Sequence, residues 1–434
     1  MARAGVTDVR QDDAEVIVVG AGPAGSTAAY YLATAGVDVL VLEKAAFPRE
    51  KVCGDGFTPR AVRELLALGL PMKDGWIRNR GLRVYGGGHR LEVPWPQLDA
   101  FPDYGLCRTR HDFDEALAHH ARAAGAKVVE RTAVTGPLLH ERTGRVVGVT
   151  ARPVDDDGRK VGEALTFRAP VVIAADGVSA RLALALGIEK SSSRPMGVAV
   201  RTYFRTPRHA DEWMESHLEL WDGPPGRSNL LPGYGWIFPL GDGTANVGLG
   251  SVSSRPTAAK ADHKELLRRW VAAAPPEWEL TPENQVGPVR GAALPMGFNR
   301  KPLYARGVML VGDAGGMVSP FNGEGIAYAM QAARRAAEVI VQSRARGSAA
   351  ARDRVLATYP AVMAHDLGGY YTLGRLFVKL IEHSAVMRVC TRYGLPRPAL
   401  MRLVMKLLAD VYEPRGGDVS DRVIAALTRI APAA

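Results

Sequence analysis

Three short runs along the chain are apolar at every position rather than at alternate ones: Val16–Val19, Val171–Ala175 and Val308–Val311. That pattern predicts strands buried on both faces, as in a parallel sheet covered by helices. The first run leads through a glycine-rich turn into a helical stretch ending near Ala35. A second strand, Asp38–Leu42, follows and closes on Glu43. The third run leads past Pro320 and Gly323 to a long helix that opens near Gly325-Ile326 and ends near Ser343. Segments 86–104 and 186–299 read instead as antiparallel strands, with turn signals at Asp222-Gly-Pro-Pro-Gly226 and Gly241-Asp-Gly243. The predicted class is α/β. A discontinuous nucleotide domain (14–85, 105–185 and 300–365) is expected beneath an inserted antiparallel β domain (86–104 and 186–299). A helical region, 366–434, follows.

Composition narrows the class. The chain has 434 residues, 47% apolar and 23% charged, the values of a soluble globular protein of about two or three domains. Disordered, collagen-like and polytopic membrane chains are excluded. The uncharged stretch Val16–Val37 is long enough to span a bilayer, but Gly20, Gly22, Pro23, Gly25 and Gly36 break it. Residues Met1 to Asp13 hold no apolar run, so no signal peptide is read. Cys53, Cys107 and Cys390 offer neither a disulfide framework nor metal-ligand spacing. A reducing cytoplasm is expected, and no metal.

Charge adds one regional signal. The net charge is +10, and residues 370–434 hold ten Lys/Arg against five Asp/Glu, half of that excess. The stretch Leu400–Ala409 is amphipathic and basic. It suits either the inner face of a membrane or a cap docked on the nucleotide domain. Aromatic residues are too sparse there for base stacking, so nucleic acid is not an expected partner.

The turn Gly20-Ala-Gly22-Pro23-Ala24-Gly25 lies between strand and helix, as a dinucleotide site requires. Gly20 permits the tight turn, Gly22 lets a pyrophosphate approach the backbone, and Gly25 lets the helix lie close on the strand. The helix N-terminus offers free N–H groups to the phosphates. Glu43, followed by Lys44, can accept ribose hydroxyls. FAD is preferred over NAD because no second such turn appears and further flavin signals follow. Asp176-Gly177 and Gly312-Asp313 both end buried strands. Asp313 can take a ribityl hydroxyl, and the helix opening at Gly325-Ile326 would aim its dipole at the flavin.

With these motifs the chain resembles the FAD-dependent hydroxylase fold, of GR2 type, and within it the geranylgeranyl reductase family. Lys51-Val-Cys53-Gly54-Asp-Gly56 is similar to the loop that family lays along the flavin. Arg110-His-Asp-Phe-Asp114, read as preceding a helix, resembles its Arg-x-x-Phe-Asp element. The resemblance implies flavin contact by Arg110, or by Arg108, and adenine contact by the backbone of Val134. Tyr234-Gly-Trp236-Ile-Phe238-Pro239, with Gly248-Leu-Gly250 beyond, is similar to the strand that lines that family's prenyl pocket. Alternate aromatics on one strand make a flat apolar wall, which suits a ligand recognised chiefly by burial.

The resemblance implies saturation of an isolated double bond in a prenyl chain, that of a menaquinone or a geranylgeranyl lipid. Such a reduction needs a hydride at one carbon and a proton at the other. Cys53 is the expected proton donor, with Tyr234 as relay or orienting group and Lys51 and His111 as weaker options. NAD(P)H or a redox protein would supply electrons. A monooxygenase or halogenase on the same fold is the first alternative, and an electron-transfer flavoprotein the second.

Overall fold

The computed structural model describes residues 13–72, 75–253 and 262–432. The N-terminal stretch read as lacking a signal peptide lies outside them, apart from Asp13. The strands Val16–Val19, Val39–Leu42, Val171–Ala174 and Val308–Leu310 are fully buried. They form the centre of a six-stranded sheet in the order 304–305, 308–310, 171–174, 16–19, 39–42, 127–129. Every pairing is parallel except the edge hairpin Tyr304–Ala305 with Val308–Leu310. Parallel neighbours need crossovers, which explains why the chain returns to this sheet from such distant points in sequence. Helices Pro23–Thr34, Arg110–Ala123 and Ile326–Arg344 pack together, the first of them touching the other two.

A second sheet of seven strands runs in the order 285–295, 196–205, 244–253, 233–239, 213–217, 81–86, 89–94. It is antiparallel except where Trp213–His217 runs parallel to Gly81–Gly86. The strand Gly81–Gly86 belongs to this sheet, so the expected division at 85/86 falls inside a strand. The three short strands Gly56–Phe57, Gly105–Cys107 and Ile77–Asn79 form a small antiparallel sheet. Residues 132–168 form an antiparallel meander of their own.

The C-terminal region is helical: Tyr359–Ile381, Ser384–Val389, Pro398–Ala409 and Val419–Ile430. Buried tyrosines hold it to the rest. Tyr359 donates to the Leu310 carbonyl (3.0 Å) and Tyr371 to that of Met317 (2.6 Å). Arg60 forms a buried ion pair with Asp410 (2.9 Å) at the end of Pro398–Ala409. One of the ten basic residues, Lys406, is itself buried and paired with Asp421 (2.9 Å). No described helix is long and apolar enough to cross a membrane.

Candidate functional site

Both sheets and the C-terminal helices converge on one cavity of about 800 Å³. Its polar end is built on the glycine turn. Gly20 adopts φ +96°, and a Cβ on Gly25 would lie 1.8 Å from the Gly20 carbonyl oxygen, so the helix sits as close as a glycine allows. Glu43, buried at the end of the second strand, accepts from the Ala21 N–H (2.8 Å) and the Ala45 N–H (3.1 Å). Its carboxylate therefore also fixes the turn it follows. Neither Pro23–Thr34 nor Ile326–Arg344 has a side-chain cap, and both N-termini open on this cavity. Free N–H groups at two helix ends favour anionic or electron-rich ligand atoms.

The residues present fit FAD. The backbone at Gly22 is open: a Cβ there would meet only the Arg49 and Arg110 guanidinium groups, at 3.7 and 3.9 Å. Asp176 Oδ1 is buried with no partner among the described residues, where a ligand hydroxyl could reach it. Pro23, Ala24, Glu43, Lys44, Val134, Asp176, Gly177, Gly312, Asp313, Pro320, Gly323, Gly325 and Ile326 all line the cavity. Burial pushes the Asp313 carboxyl up, and Lys51 and Arg110 oppose the shift.

Arg110 lines the same cavity and Arg108 does not. The Arg-x-x-Phe-Asp element does not precede the helix but forms its first turns, since the helix begins at Arg110. There the i,i+4 spacing lets Arg110 grip Asp114 through two bonds, 2.6 and 2.7 Å. Arg108 stacks instead over Trp76 (5.2 Å). His111 is exposed and bonds to Asp112.

The loop 49–56 crosses from the polar end to the apolar end. Cys53, Gly54 and Gly56 line the cavity there. The Cys53 Sγ accepts from the Asp55 N–H (3.4 Å). Burial raises its pKa, which keeps the thiol protonated. Beneath the loop lies a buried polar hub whose partners Tyr203 and Asn246 belong to no sequence motif. Asp55, at φ 62°, accepts from the Arg110 N–H (3.2 Å), Tyr203 OH (2.8 Å) and Asn246 Nδ2 (2.8 Å). Asn246 Nδ2 also donates to the Cys53 carbonyl (2.8 Å), and Asn246 Oδ1 accepts from Trp236 Nε1 (2.8 Å). Loop and aromatic strand are thus tied to one point. Burial pushes Asp55 up to about 6.

Tyr234, Trp236 and Phe238 share one face of Gly233–Pro239 and line the cavity, with neighbouring ring centroids 6.0 and 6.3 Å apart. Pro239, three residues from Trp236, falls on the opposite face and does not line it. Gly248 does not line it either. It pairs with Trp236 across the sheet, and a Cβ there would come within 2.3 Å of the indole. Gly248 therefore makes room for the wall, while Gly250 is part of the lining. The Tyr234 hydroxyl donates to the Asn322 carbonyl (2.7 Å).

Two groups of lining residues belong to no spaced motif. Glu324 accepts from Thr58 Oγ1 (2.9 and 3.0 Å), and burial raises it to about 7. Phe377, Ile381, Met387, Leu395, Met401 and Met405 bring the C-terminal region into the cavity wall. The amphipathic pattern assigns Leu400–Ala409 an apolar face without showing what lies against it.

The family described as FAD binding domain matches residues 13–363. Over 411 residues the chain is 36% identical to menaquinone reductase of Mycolicibacterium smegmatis, covering 94% of this chain and 95% of that one. It is 32% identical over 363 residues to digeranylgeranylglycerophospholipid reductase of Methanocella arvoryzae, covering 82% and 83%. Among solved structures, a geranylgeranyl bacteriochlorophyll reductase-like protein from Thermoplasma acidophilum superposes with a TM-score of 0.73. It is 21% identical and covers 95% of this chain and 99% of its own. With its glycine turn, flavin-side loop and aromatic strand on one cavity, the chain belongs to the geranylgeranyl reductase family of FAD-dependent oxidoreductases.

Proposed function

We propose that this protein saturates an isolated double bond in the prenyl side chain of a menaquinone. The observation that carries the reading is the continuity of the cavity. Its nucleotide end opens without a break into an apolar gallery walled by Trp236, Phe238 and the C-terminal helices. The relatives named menaquinone reductase, which match nearly the whole chain, support the substrate class. When bound, reduced FAD would supply a hydride to one alkene carbon.

The chain's own residues do the rest. Trp236 and Phe238 bury the chain and align the alkene, at roughly 25 cal/mol per Å² of apolar surface covered. The hub at Asp55 and Asn246 holds that wall and the Cys53 loop in fixed relation. The Cys53 thiol, kept protonated by burial, donates the proton to the second carbon. Tyr234 orients the 319–324 turn, since its own proton is held by the Asn322 carbonyl. Glu324 is a second group in the cavity able to hold a proton near neutral pH.

A second reading, flavin-dependent halogenation, has one observation in its favour: Lys51 lines the same cavity. Anaerobic mixing of pre-reduced enzyme with menaquinone separates the two. The reductase reading expects flavin reoxidation and a prenyl chain, rather than a quinone ring, heavier by two hydrogens. No change in the prenyl chain there, with rapid halide-dependent oxygen uptake when the reduced enzyme is mixed in air, would refute it.

A further inference from the structure

The segment 376–402 has two faces. Inward, Phe377, Ile381, Met387, Cys390, Leu395 and Leu400 form part of the cavity wall. Outward, Leu376, Leu380, Val389, Tyr393 and Leu400 are each at least 40% exposed. Clusters of this kind on a monomer mark a surface that meets something apolar. Cys390 and Leu400 are both exposed and part of the lining, so the cavity meets the surface inside this cluster.

Charge decides what the surface fits. Between 376 and 402 the chain has five cations, Lys379, Arg388, Arg392, Arg397 and Arg402, all exposed, and one acid, Glu382. A second copy set face to face would bring like charges together. An apolar ligand surface carrying negative charge is complementary, and a bilayer containing anionic lipid is such a surface. The segment is also held firmly. Backbone at Thr391 and Arg392 lies so close to Gly87 that a Cβ there would come within 2.8 Å, so the turn is seated on the second sheet.

We propose that 376–402 is a rim that docks on an anionic membrane, and that the prenyl chain slides from the bilayer into the cavity between Cys390 and Leu400. The proposal rests on the prenyl reading for what passes through, but not for the docking itself. It differs from a general tail-anchoring role. The helix Pro398–Ala409 turns Met401, Val404, Met405 and Leu408 into the cavity. Deleting the tail would therefore open the cavity as well as remove the surface, and point variants on the rim are the proper probe.

The test is cosedimentation of the full-length holoenzyme with vesicles of phosphatidylglycerol and phosphatidylcholine, against phosphatidylcholine alone. Preference for the anionic vesicles, weakened by salt, is expected. Arg388→Gln with Arg392→Gln should lower partitioning about 30-fold, roughly fivefold for each charge. Leu376→Ser with Leu380→Ser should weaken it with FAD content unchanged. Val423→Ser with Leu427→Ser, on an exposed apolar stripe of the last helix that does not line the cavity, should bind like wild type. Failure of the wild type to bind, or equal loss in the last-helix variant, would overturn the rim. Binding in a protein that never reduces a prenyl chain would sustain the docking and refute the reductase reading.

Discussion

Asn246 is the residue whose removal tests the architecture of the site most sharply. Asn246→Leu keeps the volume nearly constant but deletes three hydrogen bonds, to Trp236 Nε1, the Cys53 carbonyl and Asp55, each 2.8 Å. Two are between neutral groups, at about 1 kcal/mol each, and the one to a carboxylate contributes about 1.5–3 kcal/mol. The expected loss of stability is therefore about 4 kcal/mol. The kinetic effect is separable. Once the indole is free to shift by about 1 Å, alignment of the alkene should suffer on the order of a hundredfold. Chemical denaturation measures the first quantity, and anaerobic stopped-flow oxidation of the pre-reduced enzyme measures the second. FAD content should hardly change, because no bond from Asn246 reaches the nucleotide end. A variant with the wild-type denaturation midpoint and wild-type single-turnover rate would show that the hub is incidental to the site.

Glu43→Ala should weaken FAD retention by about 10- to 100-fold, since the carboxylate lines the cavity and fixes the Ala21 turn; equilibrium dialysis reads this directly. Cys53→Ala and Cys53→Ser should both slow turnover with FAD and substrate binding intact, and wild-type rates in both would remove the thiol from the mechanism. If Glu324 replenishes that proton, turnover should fall as pH rises through about 7, and Glu324→Gln should flatten the profile. Arg60→Ala leaves Asp410 buried and unpaired, so it should cost about 3–5 kcal/mol and speed proteolysis of the C-terminal helices. Asp55 has a folded pKa of about 6, above the ordinary 3.8. Its contribution to stability is complete below the ordinary value and is lost as pH rises through 6, by about 3 kcal/mol in all. Denaturation midpoints at about pH 5 and pH 8, on either side of that value, check the sign.

What could be read from the sequence was local. The Val16–Val19 strand, its glycine turn, the following helix and Glu43 lie within about thirty residues, and backbone sterics there leave little choice. The strands ending at Asp176 and Gly312 were legible for the same reason. The hub was not, because Asp55 is joined to Tyr203 and Asn246 only by folding across 148 and 191 positions, and neither of those two partners belongs to a spaced motif. Pro239 was misplaced by reading a motif as a unit when strand alternation already sends it to the other face. The inner wall from 377 to 409 was invisible for another reason. Periodicity assigns an apolar face to a helix but is silent on what that face covers.

The fit between Trp236 and Gly248 bears on how this pocket can change. A Cβ at 248 would meet not only the indole but also the Val200 carbonyl oxygen (2.6 Å) and Arg201 Cβ (2.7 Å), so a smaller ring at 236 would not admit it and would itself leave a void. Position 56 differs, because a Cβ there would meet side chains, Met214 Sδ at 2.9 Å and two phenyl carbons of Phe238 at 3.0 Å. Single substitutions at either site lead downhill, and a compensating partner is open to position 56, whose three nearest atoms are side-chain atoms, but not to position 248, which backbone also confines. Alteration of substrate preference should therefore proceed at 56 together with 214 or 238, with 248 held as glycine, and a library that varies one position at a time would miss those variants.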